Sequence, residues 1–310
     1  MTLGVHPAND RWSMVQKSRT AFWVNSVECR GYLYRPAAGN GPLPCIVMAH
    51  GFGGTQEGSL AKTAEDFAGA GFAALTFDYR NFGESDGEPR QVISIRAQQE
   101  DWQAAIAHAR SLPDTDRRIA LWGSSLSGAH VIEVAAGDPS ITAVMAQVPF
   151  NGFPRKVEGR TMADSLKILT AALKDRWAGW RGQPPHYIPA VGKEGELAVM
   201  ASREADEIVR SMDNRTWRNE IAPRVLLDMA WYRPSRAAPR LSMPLLVCLA
   251  EDDKHTPAAL GRRIADRAPR GEVRQYPCSH FDFYKEEIRK RVVHDQIGFL
   301  HTHLAASSTN

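Results

Sequence analysis

Five short apolar runs constrain this chain more than any other feature in it. They are Cys45 to Ala49, Phe72 to Tyr79, Arg118 to Trp122, Ile141 to Ala146 and Leu245 to Ala250, and none shows the polar and apolar alternation of a half-exposed strand. Runs of this length and character belong to strands covered on both faces, as in a parallel sheet. Between them, apolar residues recur at helical spacing over Ser59 to Ala70, over Ile93 to Ser111 with Ile95, Trp102 and Ile106 on one face, and over Ala129 to Ala136. Strand and helix in turn predict an α/β fold, a mostly parallel sheet with helices on both faces.

The ends of the chain complete that sheet. Thr20 to Val24 and Cys29 to Tyr34 are rich in β-formers and are joined by Asn25-Ser26, which suits a turn. After Leu245 to Ala250 come a helix from Pro257 to Ala268, a strand around Gly271 to Tyr276 and a closing helix from Glu286 to Leu304, with a frayed tail at Ala305 to Asn310. Eight strands are therefore expected.

The alternation stops between Pro149 and Met243, a stretch far too long for a plain connection. Met162, Leu166, Leu169, Leu173 and Trp177 recur at steps of three or four and mark an amphipathic helix there. Further helices are expected over Glu196 to Met212 and Trp217 to Trp231. The division is thus a core domain of residues 1–148 and 244–310, with 149–243 inserted as a helical cap. Trp177, Trp180, Trp217 and Trp231 are expected to form the cap's core, one or two of them lining an apolar pocket. The insertion holds 16 basic and 11 acidic residues, a mild excess that solvated helix faces explain.

The totals exclude several classes of function. A formal net charge of +3 over 310 residues, with no basic run interleaved with aromatics, argues against nucleic acid as a partner. The first residues lack a basic region followed by an apolar core and no stretch is long enough to span a bilayer, so the protein reads as cytoplasmic without a membrane partner. Cys29, Cys45, Cys248 and Cys278 are widely spaced and read as buried free thiols, with no zinc spacing. His255, His301 and His303 have no carboxylate or cysteine at ligand spacing, so no metal and no cofactor are expected.

The chemistry centres on Gly123-Ser124-Ser125-Leu126-Ser127-Gly128, where a strand ends in a tight turn that delivers Ser125 to the start of a helix. Taken alone, Ser125 is either a helix cap or a nucleophile. Asp253 follows the strand at 245–250 and His280 follows the last strand, so three separate turns fall on the carboxyl edge of one sheet. A serine hydroxyl attacks a carbonyl only if an imidazole takes its proton, and a carboxylate must orient that imidazole. His50-Gly51-Phe52-Gly53-Gly54, at the end of another strand, supplies the remaining part: the Phe52 amide, beside that of Leu126, forms an oxyanion hole. Asp252 is the rival acid, while Glu251 and Asp282 are less suited; His50 is expected to pack the turn, and Asp78 and Arg80 to brace the loop after their strand.

With these motifs in place, together with Asp78 to Gly87, the chain resembles a serine hydrolase of the α/β-hydrolase fold, esterase-like and carrying a helical cap. The resemblance covers residues 20–148 and 244–304, and Ser127 stands where the elbow more often has glycine. It implies a triad of Ser125, Asp253 and His280, the acid placed by the Asp253-x-x-x-Pro257 spacing. It also implies hydrolysis of a small or medium carboxylic ester, thioester or lactone, a small-molecule partner. The same machinery serves C-C bond hydrolysis, amide hydrolysis or acyl transfer, and a ligand-binding protein on this fold is the reading of a different class. Aspartate-dependent dehalogenation is disfavoured by Ser125. A homodimer is permitted and nothing in the sequence requires it.

Overall fold

The computed structural model describes residues 15–37, 41–154, 161–211 and 214–304. The first residues, the expected tail at 305–310 and Met212, the expected end of a helix, lie outside the described residues. Chain order runs β1 (Val15–Val24), β2 (Val27–Pro36), β3 (Leu43–Ala49), α1 (Ser59–Gly69), β4 (Ala73–Phe77), α2 (Ile95–Ser111), β5 (Thr115–Ser124), α3 (Leu126–Ala135) and β6 (Ala143–Gln147). The insertion then contributes α4 (Met162–Trp180), β7 (Val191–Gly192), β8 (Met200–Ala201), α5 (Arg203–Ser211) and α6 (Val225–Met229). The chain closes with β9 (Leu245–Ala250), α7 (Ala258–Arg267), β10 (Gly271–Tyr276) and α8 (Glu286–Leu304).

Eight strands form one sheet in the order β1-β2-β4-β3-β5-β6-β9-β10, as expected. Only β1 with β2 and β2 with β4 pair antiparallel; every other pairing is parallel. The first hairpin turns on Asn25 and Ser26, with φ of 48° and 66°. Two adjacent left-handed residues match the right-handed twist of the flanking strands, which is why a two-residue loop suffices.

The central strands bury successive residues on opposite faces. Val47, Leu75, Leu121, Val144 and Val247 share one core with Trp102 of α2, Val131 of α3 and Ile264 of α7. Met48, Ala74, Trp122, Met145 and Leu246 share the other with Phe67 of α1 and with Val292 and Leu300 of α8. The period of two along each strand thus builds both layers, and each large aliphatic side chain so buried contributes about 1.5–3 kcal/mol.

The insertion departs from expectation in three places. The helix expected over Trp217 to Trp231 reduces to α6. Pro223 sits just before α6, and the chain ahead of it runs extended, bridging Ile188 to Ile221. A proline has no N–H for a helix ladder and pushes its predecessor out of helical geometry. The helix expected from Glu196 starts only at Arg203, where the Ser202 hydroxyl accepts the Ala205 N–H at 3.1 Å; Met200–Ala201 pairs instead with Val191–Gly192, so the insertion is not purely helical. Finally α4 forms, opened by a reciprocal capping box between Thr161 and Asp164, but it turns the other way round. Ile168, Ala171, Ala172 and Asp175 are buried, while the Met, Leu and Trp stripe faces outward. Trp177, Trp180 and Trp231 are accordingly exposed and not a core.

Candidate active site

β5 ends at Ser124 and α3 begins at Leu126, so Ser125 takes the whole turn, with φ 56° and ψ −113°. A non-glycine residue at such angles is strained and persists only where its surroundings hold it. Here Ser125 N–H donates to Gln147 O at 2.8 Å, and Ser125 O accepts from Ala129 and Phe150 N–H at 3.2 and 3.0 Å. The neighbouring glycines are sterically required. A Cβ on Gly123 would lie 2.3 Å from Ser127 O, and one on Gly51 would lie 3.0 Å from Ser124 O. Although Ser125 stands at the cap position of α3, its side chain makes no capping hydrogen bond. The hydroxyl is left for the cavity.

Asp253 and His280 meet as the sequence places them. His280 Nδ1 lies 2.7 Å from Asp253 Oδ2, with both side chains buried. With Nδ1–H donating to the carboxylate, the lone pair of the imidazole resides on Nε2. Asp253 Oδ1 accepts the His255 and Thr256 N–H groups at 2.8 and 2.6 Å, and the Thr256 hydroxyl donates to Oδ2 at 2.8 Å. Burial alone pushes the Asp253 carboxyl up, but the His280 charge and these hydrogen bonds outweigh it and hold the group below its ordinary value. The rivals are accounted for elsewhere. Glu251 and Asp252 are exposed, and Asp282 accepts the Ser279 N–H and hydroxyl at 2.8 and 2.7 Å and pairs with Lys285.

The turn after β3 faces the elbow. Gly53 has φ 64° and Gly54 N–H donates to Gly51 O at 3.2 Å, so the chain folds back and carries Phe52 to the cavity that Ser125 and Leu126 also line. His50 packs edge-on against Tyr79 and donates from Nδ1 to Gly51 O at 2.9 Å. Burial lowers His50 to about 4 and raises Asp78 to about 7, so their 3.6 Å approach is not a charged pair. Asp78 instead accepts the Gln56 and Glu84 N–H groups at 2.7 and 2.9 Å, and Arg80 binds Asp101 at 2.5 Å, the bracing roles expected of both.

Two cavities meet at Ser125, each walled by the core on one side and the insertion on the other. The larger, about 450 Å³, has Phe150, Phe153, Val199, Met200 and Met229 among its apolar lining and Glu194, Glu204 and Lys254 among its charged lining. The smaller, about 100 Å³, lies between His50, Leu60, Trp122, Trp217, His280 and Tyr284. Trp217 is thus the one of the four insertion tryptophans that lines it. Among the described residues no group of three or more His, Cys, Asp or Glu side chains is placed to hold a metal, and no helix is long and apolar enough to cross a membrane. All four cysteines are buried and free, and burial pushes the Cys278 thiol up to about 12, far from a nucleophile.

A family model described as serine aminopeptidase, S33, matches residues 41–281. The chain belongs to that family. It is a serine hydrolase of the α/β-hydrolase fold. Among similar proteins, the quorum-quenching protein AidA of Acinetobacter baumannii (strain MDR-ZJ06) is 40% identical over 283 residues, covering 90% of this chain and 92% of AidA. Thiohydrolase apmlB of Arthrinium phaeospermum is 34% identical over 214 residues, 66% of this chain and 68% of that protein. Polyketide transferase grgF of Penicillium sp is 31% identical over 175 residues, 56% of this chain and 57% of its own. The crystal structure of the alpha/beta hydrolase GrgF from Penicillium sp. sh18 shares the fold with a TM-score of 0.77 at 23% identity, covering 94% of this chain and 100% of that one.

Sequence reasoning missed several residues that touch the site. Thr256 holds both Asp253 and His280, its hydroxyl 3.1 Å from His280 Nδ1, and the Asp253-x-x-Thr256 spacing was the available signal, since threonine three residues after aspartate closes a local hydrogen-bonded turn. Tyr284, whose hydroxyl meets Ser124 Oγ at 3.0 Å, left no signal, because its place depends on how the last turn folds back across β5.

Proposed function

We propose that this enzyme cleaves small or medium carboxylic esters, thioesters or lactones through an acyl-enzyme on Ser125, with His280 as general base and acid and Asp253 as its orienting carboxylate. The reading is carried by one observation: the 2.7 Å contact of His280 with Asp253, on the wall of a cavity that Ser125 shares. Ser125 Oγ attacks the carbonyl carbon as its proton passes to His280 Nε2. The Phe52 and Leu126 N–H groups hold the oxyanion. Collapse expels the alcohol or thiol, which takes the proton from Nε2. Water, deprotonated by the same nitrogen, then releases the acid and restores Ser125. None of these steps calls for a metal or an organic cofactor.

Residues 149–243 act as a cap over the core of 1–148 and 244–310, and the substrate lies between them. A volume of about 450 Å³ suits a ligand of small or medium size. The relationship to a thiohydrolase keeps thioesters among the candidates beside oxygen esters. Four free, buried cysteines suit a reducing compartment, and the cytoplasm is the proposed location.

A fluorophosphonate probe is expected to label Ser125 in the native protein and to fail after heat denaturation. Ser125→Ala is expected to abolish labelling and to lower turnover of p-nitrophenyl esters and acyl thioesters by on the order of 10⁶-fold. Turnover retained in Ser125→Ala would refute the mechanism.

A second reading is acyl transfer, favoured by the two cavities that meet at Ser125 and by the relative named as a polyketide transferase. One cavity would hold the acyl group and the other an alcohol or thiol acceptor. Product analysis with added acceptors separates the two readings: a transferase partitions the acyl group to the acceptor at low acceptor concentration, a hydrolase to water.

A further inference from the structure

The outer face of α4 carries six of the ten exposed large hydrophobic side chains among the described residues, and none of the six lines the site. Met162, Leu166, Leu169, Leu173, Trp177 and Trp180 all point outward, Met162 at 92% and Trp180 at 80% exposure. At 3.6 residues per turn the six fall within a sector of about 80°. Such a narrow stripe, with steps of three and four, is the seam of a helix that packs on another helix. The inward face, by contrast, is mostly small, with Ala171 and Ala172 beside Ile168. Bulk has been placed outside and small residues inside, the reverse of what a helix with no outer partner needs. Together the six side chains expose roughly 800 Å², which is about one partner's share of a stable interface and more than the largest patch of an ordinary monomer.

We infer that this face is a self-association surface, on which two copies of the chain pack α4 against α4, antiparallel about a two-fold axis level with residue 171. The stripe is close to symmetric about that point: reversing it lays Met162 against Trp180, Leu166 near Trp177 and Leu169 against Leu173. Met162 and Leu166 thus meet the two tryptophans, and the same patch serves both subunits, as a two-fold interface requires. Antiparallel packing also sets the N-terminal end of each helix dipole beside the C-terminal end of the other. The flanks favour protein over lipid. Helices that lie on membranes carry lysine and arginine on their polar face for anionic headgroups. Here the stripe is bordered by Ala163, Ser165 and Thr170; of the basic residues on α4 and its C-terminal cap, Lys167 and Arg176 are engaged with Asp164 and Asp228 at 3.3 and 2.7 Å, Arg181 lies 4.6 Å over the Trp177 ring, and Lys174 is exposed.

Sedimentation equilibrium of the full chain at micromolar concentration is expected to give twice the monomer mass. A Leu169→Glu, Leu173→Glu double variant, altered only at solvent-facing positions, is expected to give the monomer mass with an unchanged far-ultraviolet circular dichroism spectrum. Because the four native cysteines are buried, a Leu169→Cys, Leu173→Cys variant treated with a short bis-maleimide is expected to form a covalent dimer. A wild-type chain that stays monomeric overturns the inference, and so does a dimer untouched by the glutamates. Sedimentation with phosphatidylglycerol vesicles in place of dimerisation would assign the stripe to lipid. Dimerisation that appears only after deletion of residues 1–14 would show that the chain covers the stripe itself.

Discussion

Ser127 occupies the elbow position where glycine is commoner, and its hydroxyl has two buried partners. It donates to His50 O and meets the Tyr79 hydroxyl, which in turn accepts the Trp102 indole N–H at 2.7 Å. This chain of bonds ties the elbow to the turn that carries Phe52. Ser127→Ala leaves the Tyr79 O–H proton without an acceptor and the His50 carbonyl without its hydroxyl donor in a dry interior, at a cost of about 1–3 kcal/mol. Thermal denaturation is expected to show that loss, and steady-state kinetics a fall in kcat of about tenfold, or 1.4 kcal/mol, with little change in KM. A proportional rise in KM would mean that the bond serves binding and not the oxyanion turn.

Asp253, the acid of the proposed triad, carries its own pH signature. Because Asp253 titrates below its ordinary value of 3.8, the stability it contributes is complete above that value and is lost as pH falls through the depressed one. Denaturation midpoints followed down from pH 5 are expected to drop more steeply for the wild type than for Asp253→Asn. The same variant is expected to lose on the order of 10⁴-fold in kcat, since the amide no longer fixes the imidazole tautomer. The turns that carry Ser125 and Asp253 were legible because each follows a strand announced by its own apolar run, whereas His280 follows β10, a mostly polar strand read from its place in the alternation. Tyr79 was not, since nothing local says that a residue after β4 reaches across to α3.

At the scale of elements, legibility followed the source of each element's stability. Strands β3 to β6 and β9 are written in continuous apolar runs, and α2 and α3 in plain periodicity. In the insertion, α4 has the right period, yet period alone does not say which side faces the protein. The decisive residue is Asp175, fully buried on the inner face, which holds Arg224 through Oδ1 at 2.7 Å and Oδ2 at 2.8 Å and also accepts the His186 N–H at 2.9 Å. A charge paired 49 residues away in sequence cannot be read from a helical wheel. Asp175→Ala strips Arg224 of its partner and is expected to destabilise the insertion by about 3 kcal/mol. Limited proteolysis would report the loss as faster cleavage between 181 and 224, while the core sheet stays resistant.

For the whole molecule, the sheet order has a consequence in time as well as space. β6 pairs with β5 on one side and with β9 on the other, and nearly a hundred residues separate β6 from β9 in the chain. At about 5–20 residues per second, a ribosome holds β6 as a bare, apolar sheet edge for roughly 5 to 20 seconds before its neighbour emerges. An open edge of that kind recruits stray strands. A chain stopped at residue 243 is therefore expected to aggregate on expression and, lacking Asp253 and His280, to ignore fluorophosphonate. β9, β10 and the turns that carry Asp253 and His280 thus emerge only after the whole insertion, so the nascent polypeptide cannot assemble the proposed triad before β6 is covered.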